Sequence, residues 1–167
     1  MRTLLALAGL ALASPAFAQE ANNPLDEFTP LLGNCYLASG GIDDGDDRHC
    51  WSESEDGTAV LQRHEITGGS LHGYVGEAIY SFNPETGEAS YRYRNNRGGK
   101  SGGSFTGANG RLTFPDETYR LDENTSVTVD SRFIIAGPHY YSAQERQQIE
   151  GEWSEPSIIE FNRIDQD

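Results

Sequence analysis

Two cysteines flank the densest acidic run of the chain, in GNCYLASGGIDDGDDRHCW, residues 33–51. That arrangement could serve a cation loop, a catalytic hairpin or a disulfide staple. A calcium site needs several oxygens converging from alternating positions, whereas Asp43, Asp44, Asp46 and Asp47 lack the EF-hand order with its distal Glu, and adjacent Asp side chains on a tight loop diverge. The run is therefore read as a solvated, charge-rich loop tip rather than a calcium site, one that also discourages edge pairing. Cys35 and Cys50 are the only thiols, and in an oxidising compartment they are expected to form a disulfide. A two-residue turn at Asp44-Gly45 would set Cys50 opposite Ser39; a direct cross-strand disulfide instead requires Cys35 opposite Cys50. The thiol constraint is the stronger, so a wider loop from about Gly40 to Gly45 is expected.

His49, His64, His72 and His139 make no His-x-His, His-Glu-x-x-His or Cys-x-x-Cys pattern, so a zinc or iron site would have to be assembled entirely by the fold. No metal site and no catalytic residue is predicted. In Arg63-His64-Glu65 alternation sends His64 and Glu65 to opposite faces of a strand, and His64 is expected at the surface or rim. In Tyr91-Arg92-Tyr93-Arg94-Asn95 the two tyrosines share one face with Asn95, and the arginines share the other. The Tyr face is expected to point inward, since buried Arg is rare without a partner. Were Arg92 and Arg94 inward, they would need a counter-anion from a ligand or from Glu77. Glu77, in an otherwise apolar strand, is the acid with the best claim to an interior role, and Trp51 and Trp153 are large aromatic anchors near the two ends of the fold. The candidate ligand-lining set is Tyr74, Tyr80, Tyr91, Tyr93, Glu77 and Trp153. Gly98-Gly99-Lys100-Ser101-Gly102-Gly103 lacks phosphate-loop spacing and reads as a flexible hairpin.

These residues must be held by a chain whose first segment reads as a leader. Arg2, the apolar run Leu4 to Ala13 and the small-x-small Ala16-Phe17-Ala18 are expected to direct export and cleavage after Ala18, leaving 149 of the 167 residues. The run is too short for a permanent membrane span, and no cysteine follows it for a lipid anchor. The expected product is a soluble bacterial protein of the periplasm or exterior, with one domain and enough chain for a real core. Losing Arg2 leaves 11 basic against 26 acidic residues, a net charge of −15. Such a field repels phosphate backbones and anionic lipid, so neither nucleic acid nor a membrane is an expected partner.

Asn23 to Leu32 is expected to form a short helix starting at Pro24, with Leu25, Phe28, Leu31 and Leu32 at helical spacing and Pro30 keeping it short. Period-two segments follow at 34–40, 48–54, 58–67, 71–82, 88–95, 101–107, 111–114, 118–121, 126–135 and 150–163. Val127, Val129, Phe133 and Ile135 make a clean inward face; Leu71 to Phe82 is apolar on both faces and cannot be oriented. Residues 142–149 read as a helical turn or loop. Short Gly-rich connections allow only neighbouring antiparallel pairs, because a parallel crossover needs a dozen or more residues. A meander of this length, with no helix to cover a second face, closes best on itself. The expected fold is all-β, an antiparallel up-and-down barrel of about 8–10 strands, with residues 1–18 as leader, 19–33 as a helix-bearing segment and 34–167 as the barrel.

A short apolar helix, then Leu31-Leu32-Gly33-Asn34-Cys35-Tyr36 opening the first strand, then a meander ending in a Trp-containing hairpin, resembles the lipocalin-like (calycin) barrels, especially small exported bacterial ones. Gly33 stands where such barrels often carry Gly-x-Trp, with Tyr36 displaced from the Trp position. The resemblance implies an internal cavity that binds a small hydrophobic or amphipathic molecule without catalysis. Related nitrobindin-type barrels hold haem through a His, for which His139 is only a positional candidate here; no cofactor is predicted. Two other classes compete: an enzyme using the cavity, with His64, Glu77 or Arg92/Arg94 as acid, base or anion clamp, and a structural or interaction module whose interior is packed shut.

Overall fold

The computed structural model describes residues 23–40, 44–120 and 126–165. The leader at 1–18, its cleavage point and Asp43 lie outside the described residues. Asn23 caps a 3-10 helix, Pro24–Leu31, its side chain accepting from Leu25 N at 3.1 Å. Three residues per turn, rather than 3.6, align Leu25, Phe28 and Leu31 on one face, and Phe28 and Leu31 are fully buried. Among the described residues no helix is long and apolar enough to cross a membrane.

Among the described residues twelve strands follow: β1 (Cys35–Ala38), β2 (Asp46–Glu53), β3 (Ala59–Thr67), β4 (Tyr74–Asn83), β5 (Glu88–Asn95), β6 (Lys100–Ser104), β7 (Thr106–Ala108), β8 (Arg111–Arg120), β9 (Ser126–Ile135), β10 (Tyr140–Ile149), β11 (Glu152–Trp153) and β12 (Ser157–Ile164). Ten of them form a closed antiparallel barrel in chain order, β12 returning to pair with β1; β7 and β11 are short additions to β8 and β10. Closure leaves no long edge to aggregate.

Several segments differ from the sequence expectation. Residues 142–149 belong to strand β10, which is paired on both sides by β9 and β12. The helix-favouring run Ala-Gln-Glu-Arg-Gln-Gln yields because the barrel cannot close without that strand. Segments 111–114 and 118–121 merge into β8, interrupted by a bulge between Phe114 and Glu117. Pro115, which has no N–H to donate to a ladder, sits in that bulge. Segment 101–107 divides into β6 and β7, and 150–163 into β11 and β12.

The disulfide Cys35–Cys50 is formed, with Cα atoms 4.1 Å apart, and Cys35 pairs directly with Cys50 across β1 and β2. The wider loop follows, with Asp44 in the left-handed region at φ 58°. Asp47 is not at the loop tip: it pairs with Ala38 inside β2 and is buried. The bond lies on the outer face of the barrel, since Tyr36 and Ala38 alternate inward on β1 and Asp47, His49 and Trp51 on β2.

The helix plugs one end of the barrel, packing on β3, β4, β7, β8 and β9. Phe28 stacks into an aromatic cluster, 4.7 Å from the Tyr80 ring, 5.3 Å from Trp51 and 6.2 Å from Phe105. Tyr36 donates from its hydroxyl to the Pro138 carbonyl at 3.0 Å and the Pro30 carbonyl at 3.3 Å, tying helix, β1 and the β9–β10 turn together. The inward face of β9 is as expected, with Val129 and Ile135 buried and Val127 and Phe133 half-buried. In β4, Tyr74, Gly76, Ala78 and Tyr80 point inward.

Replacing both cysteines by serine is expected to lower the unfolding free energy by about 3 kcal/mol, the chain-entropy value for a loop of this length. Urea denaturation of the wild type and the double variant at pH 7 reads the difference directly.

Candidate functional site

Away from the helix the barrel is hollow. A cavity of about 510 Å³ reaches from the aromatic cluster to Leu71 in the β3–β4 connection. Its walls are largely apolar, including Ile66, Val127, Phe133 and Ile159, and against them converges a set of polar side chains from β2, β3, β4, β5 and β8.

The β2–β3 wall holds Asp47, His49 and His64. Asp47 and His49 are two apart on β2 and so share the inner face, and His64 lies opposite His49 across the β2–β3 ladder. His64 Nδ1 donates to Asp47 Oδ1 at 3.3 Å and His49 Nε2 donates to Asp47 Oδ2 at 3.1 Å. Each carboxylate oxygen therefore receives one imidazole. Burial by itself would raise the Asp47 carboxyl pKa, but the hydrogen bonds from His49 and His64, with their electrostatic attraction, hold it well below the usual carboxylate range. Burial pushes the His49 imidazole down, against the opposing hydrogen bond to Asp47.

Two hydrogen-bonded chains lead to this carboxylate. On one side the Tyr80 hydroxyl donates to Gln62 Oε1 at 3.2 Å, and Gln62 Nε2 donates to His49 Nδ1 at 2.9 Å, a nitrogen that the Tyr141 hydroxyl also meets closely. On the other, the Tyr93 hydroxyl donates to His64 Nε2 at 2.9 Å and stands 2.6 Å from the Tyr74 hydroxyl, which lies 2.9 Å from that of Tyr119. Asn95 Nδ2 donates to both Tyr74 and Tyr119 at 2.8 Å while its Oδ1 accepts from the Arg97 and Gly99 amides at 2.9 Å. One Asn thus shapes the β5–β6 turn and terminates the tyrosine chain. Burial raises the phenol pKa values of Tyr80, Tyr93, Tyr119 and Tyr141, so all four remain donors. Gly76 gives the chain its room: a methyl group on Gly76 would overlap both His64 Nε2 and the Tyr93 hydroxyl.

A second polar group sits on another wall. Ser131 Oγ donates to Glu117 Oε1 at 2.8 Å and Ser101 Oγ to Oε2 at 3.0 Å, with the Tyr91 hydroxyl 2.9 Å from Ser101. Burial pushes the Glu117 carboxyl up to about 7, the Ser131 hydrogen bond opposing and the charges of Glu145 and Asp130 adding to it.

Of the residues singled out from sequence, Tyr74, Tyr80, Tyr91 and Tyr93 all line the cavity, and Arg92 and Arg94 face outward. Glu77 does not join them. It lies on the outer face, receiving Arg94 at 2.7 Å with Arg63 at 3.6 Å, because alternation from Gly76 and Ala78 turns it out. An acid or anion clamp built from Glu77, Arg92 and Arg94 therefore has no access to the interior. Trp153 is outside the lining as well, its ring under Arg146 at 4.8 Å in the short β11. His139 is exposed in the β9–β10 turn, at the plugged end. His64, expected at the rim, is inward with a side chain 14% exposed.

Sequence reasoning missed Asp47, His49, Gln62, Glu117 and Tyr119. For His64 the signal was present: Val60, Gln62, His64 and Ile66 share a parity whose apolar members must face the core. No protein-family model matches the chain, and no curated protein matches it in sequence.

Gly76→Ala is expected to destabilise the barrel by on the order of 1–3 kcal/mol, since both groups it meets are tethered; urea unfolding measures this. For Glu117 the folded pKa of about 7 lies above the unfolded 4.5, so folding loses stability as pH rises from about 4.5 and the loss is complete above about 7. Glu117→Gln removes that loss. Its stability relative to wild type is expected to improve between pH 5 and pH 8 by on the order of 2 kcal/mol, read from urea melts at the two pH values.

Proposed function

We propose that this protein is an exported, lipocalin-like binding barrel for a small neutral or cationic molecule with an aromatic or alicyclic body and a hydrogen-bonding group. One observation carries the reading: the cavity of about 510 Å³ falls within the size range of ligand pockets, about 300–1,000 Å³, and is mainly apolar with a few convergent polar groups. Its charge narrows the ligand class. Asp47, Glu117 and Glu145 line the space, and no Lys or Arg is among the described lining residues. A carboxylate ligand such as a fatty acid would meet acids without a cationic partner, a costly burial. The leader-like first 18 residues and the Cys35–Cys50 disulfide both support an oxidising compartment outside the cytoplasm. The void also disfavours the closed module, whose interior would be filled along its length.

The test is titration of the purified, disulfide-bonded protein with the neutral aromatic amine N-phenyl-1-naphthylamine, followed by its fluorescence. Saturable one-to-one binding is expected, together with at least a tenfold loss in Val127→Trp, which narrows the cavity from a half-buried position while leaving the aromatic cluster intact. Absence of saturable binding, or equal binding by the filled variant, overturns the reading.

A further inference from the structure

Asp47, His49 and His64 carry more than their mutual hydrogen bonds require. One nitrogen from each imidazole and one Asp47 oxygen all lie within 4.8 Å of one another. Donor atoms around a four-coordinate ion, with bonds of about 2.0–2.2 Å, stand about 3.4 Å apart. His49 Nε2 and His64 Nδ1 stand 3.1 Å and 3.3 Å from the two oxygens of the one Asp47 carboxylate, close to that spacing.

The surroundings are those a ligated histidine needs. A metal-bound imidazole donates its second nitrogen to an acceptor that fixes tautomer and ring plane. His64 Nε2 meets the Tyr93 hydroxyl, held by Tyr74, and His49 Nδ1 meets Gln62 and Tyr141. With the Gln62 amide turned over, Oε1 accepts from His49 Nδ1 and Nε2 donates to the Tyr80 hydroxyl, so the same contacts serve the metal-bound tautomer. The missing methyl at Gly76 leaves space for the His64–Tyr93 contact. The three donors sit on two adjacent strands of a closed barrel, and the ring of His49 is stacked on Phe161 with centroids 4.1 Å apart. Geometry on rigid elements, with supported ligands, makes a precise site.

We propose that Asp47, His49 and His64 bind one divalent first-row transition ion, with zinc(II) or iron(II) as the matching class, on the β2–β3 wall of the cavity. Two imidazoles and one carboxylate are the donor set those ions take in sites that keep a coordination position open. All three residues line the cavity, so the open position is turned toward it, and a donor atom of an occupant or a water molecule can fill it. The site does not depend on which organic molecule the cavity holds, and the dye titration above bears on it neither way.

The experiment uses the mature, disulfide-bonded protein stripped with chelator and titrated with cobalt(II), whose ligand-field absorption reports an N/O site of low coordination number. A one-to-one endpoint and displacement by zinc(II) are expected. His64→Gln and Asp47→Asn should each weaken cobalt(II) binding at least 100-fold, and Tyr93→Phe, which leaves every ligand in place, about 10-fold. The exposed histidines supply the control: His72→Gln/His139→Gln should bind as wild type. Near-ultraviolet circular dichroism identifies any variant that fails to fold, and Tyr93→Phe keeps the test decisive if the ligand variants do not. The proposal is overturned by the absence of a stoichiometric cobalt(II) or zinc(II) site in the wild type, or by a site lost in His72→Gln/His139→Gln and kept in His64→Gln.

Discussion

A carboxylate that stays ionised inside a barrel dictates what surrounds it. Removing Asp47 from water costs several kcal/mol unless its oxygens are hydrogen-bonded by groups that can themselves be satisfied. His49 and His64 supply one bond to each oxygen, and each imidazole then has a second nitrogen to satisfy in the same dry space. Gln62, Tyr80 and Tyr141 answer for one; Tyr93, Tyr74, Tyr119 and Asn95 answer for the other. Each added member repeats the demand until the chain reaches Asn95, whose amide is anchored in a surface turn. The polar groups around Asp47 thus form one connected network, distinct from the Glu117 group on another wall, and the small residue at Gly76 is part of its geometry.

The barrel divides into two halves with different physics. Toward the helix, Phe28, Trp51, Tyr80, Phe105 and Phe114 fill the lumen with rings at centroid separations between 4.7 Å and 6.2 Å, and the 3-10 helix seals the end. Much of the stabilising apolar burial is concentrated there. The opposite half can then remain hollow without loss of fold. Tyr80 belongs to both: its ring packs in the plug and its hydroxyl begins one of the chains leading to Asp47. Rigidity reaches the site through that side chain.

The barrel was legible in the sequence because it rests on local signals. Period-two alternation, Gly-rich turns and connections too short for crossovers leave a meander as the only arrangement. The disulfide also set the β1–β2 register correctly against the competing Asp44-Gly45 turn. Residues 142–149 were not legible, because a strand of Gln, Glu and Arg owes its conformation to β9 and β12 on either side. The site lies between these cases. A turn centred on Asp56-Gly57 aligns His49 with His64, and that is the observed register. Together with the inward parity of Val60 and Ile66 it brings both imidazoles and Asp47 to one patch, although no short motif marks them. Glu117 could not be found in this way, since the bulge after Phe114 resets the alternation of β8.

Of the acids that line the cavity, Asp47 and Glu117 stand in environments that drive them in opposite directions. Asp47, receiving two imidazoles, is ionised across the ordinary pH range; Glu117, held by two serine hydroxyls against apolar walls, keeps its proton up to about 7. Below that pH Asp47 carries a fixed negative charge on the β2–β3 wall, and Glu117 is a neutral carboxylic acid able to donate. Above it a second anion appears on another wall, and the field attracting a cationic group strengthens without any change of backbone. An occupant bearing a positive charge would therefore meet one more carboxylate above neutrality than in mild acid, so its affinity should rise through pH 7. A neutral occupant loses a hydrogen-bond donor over the same interval, and its affinity should fall. The direction of that pH dependence separates the two proposed ligand classes, using the protein's own titration as the probe.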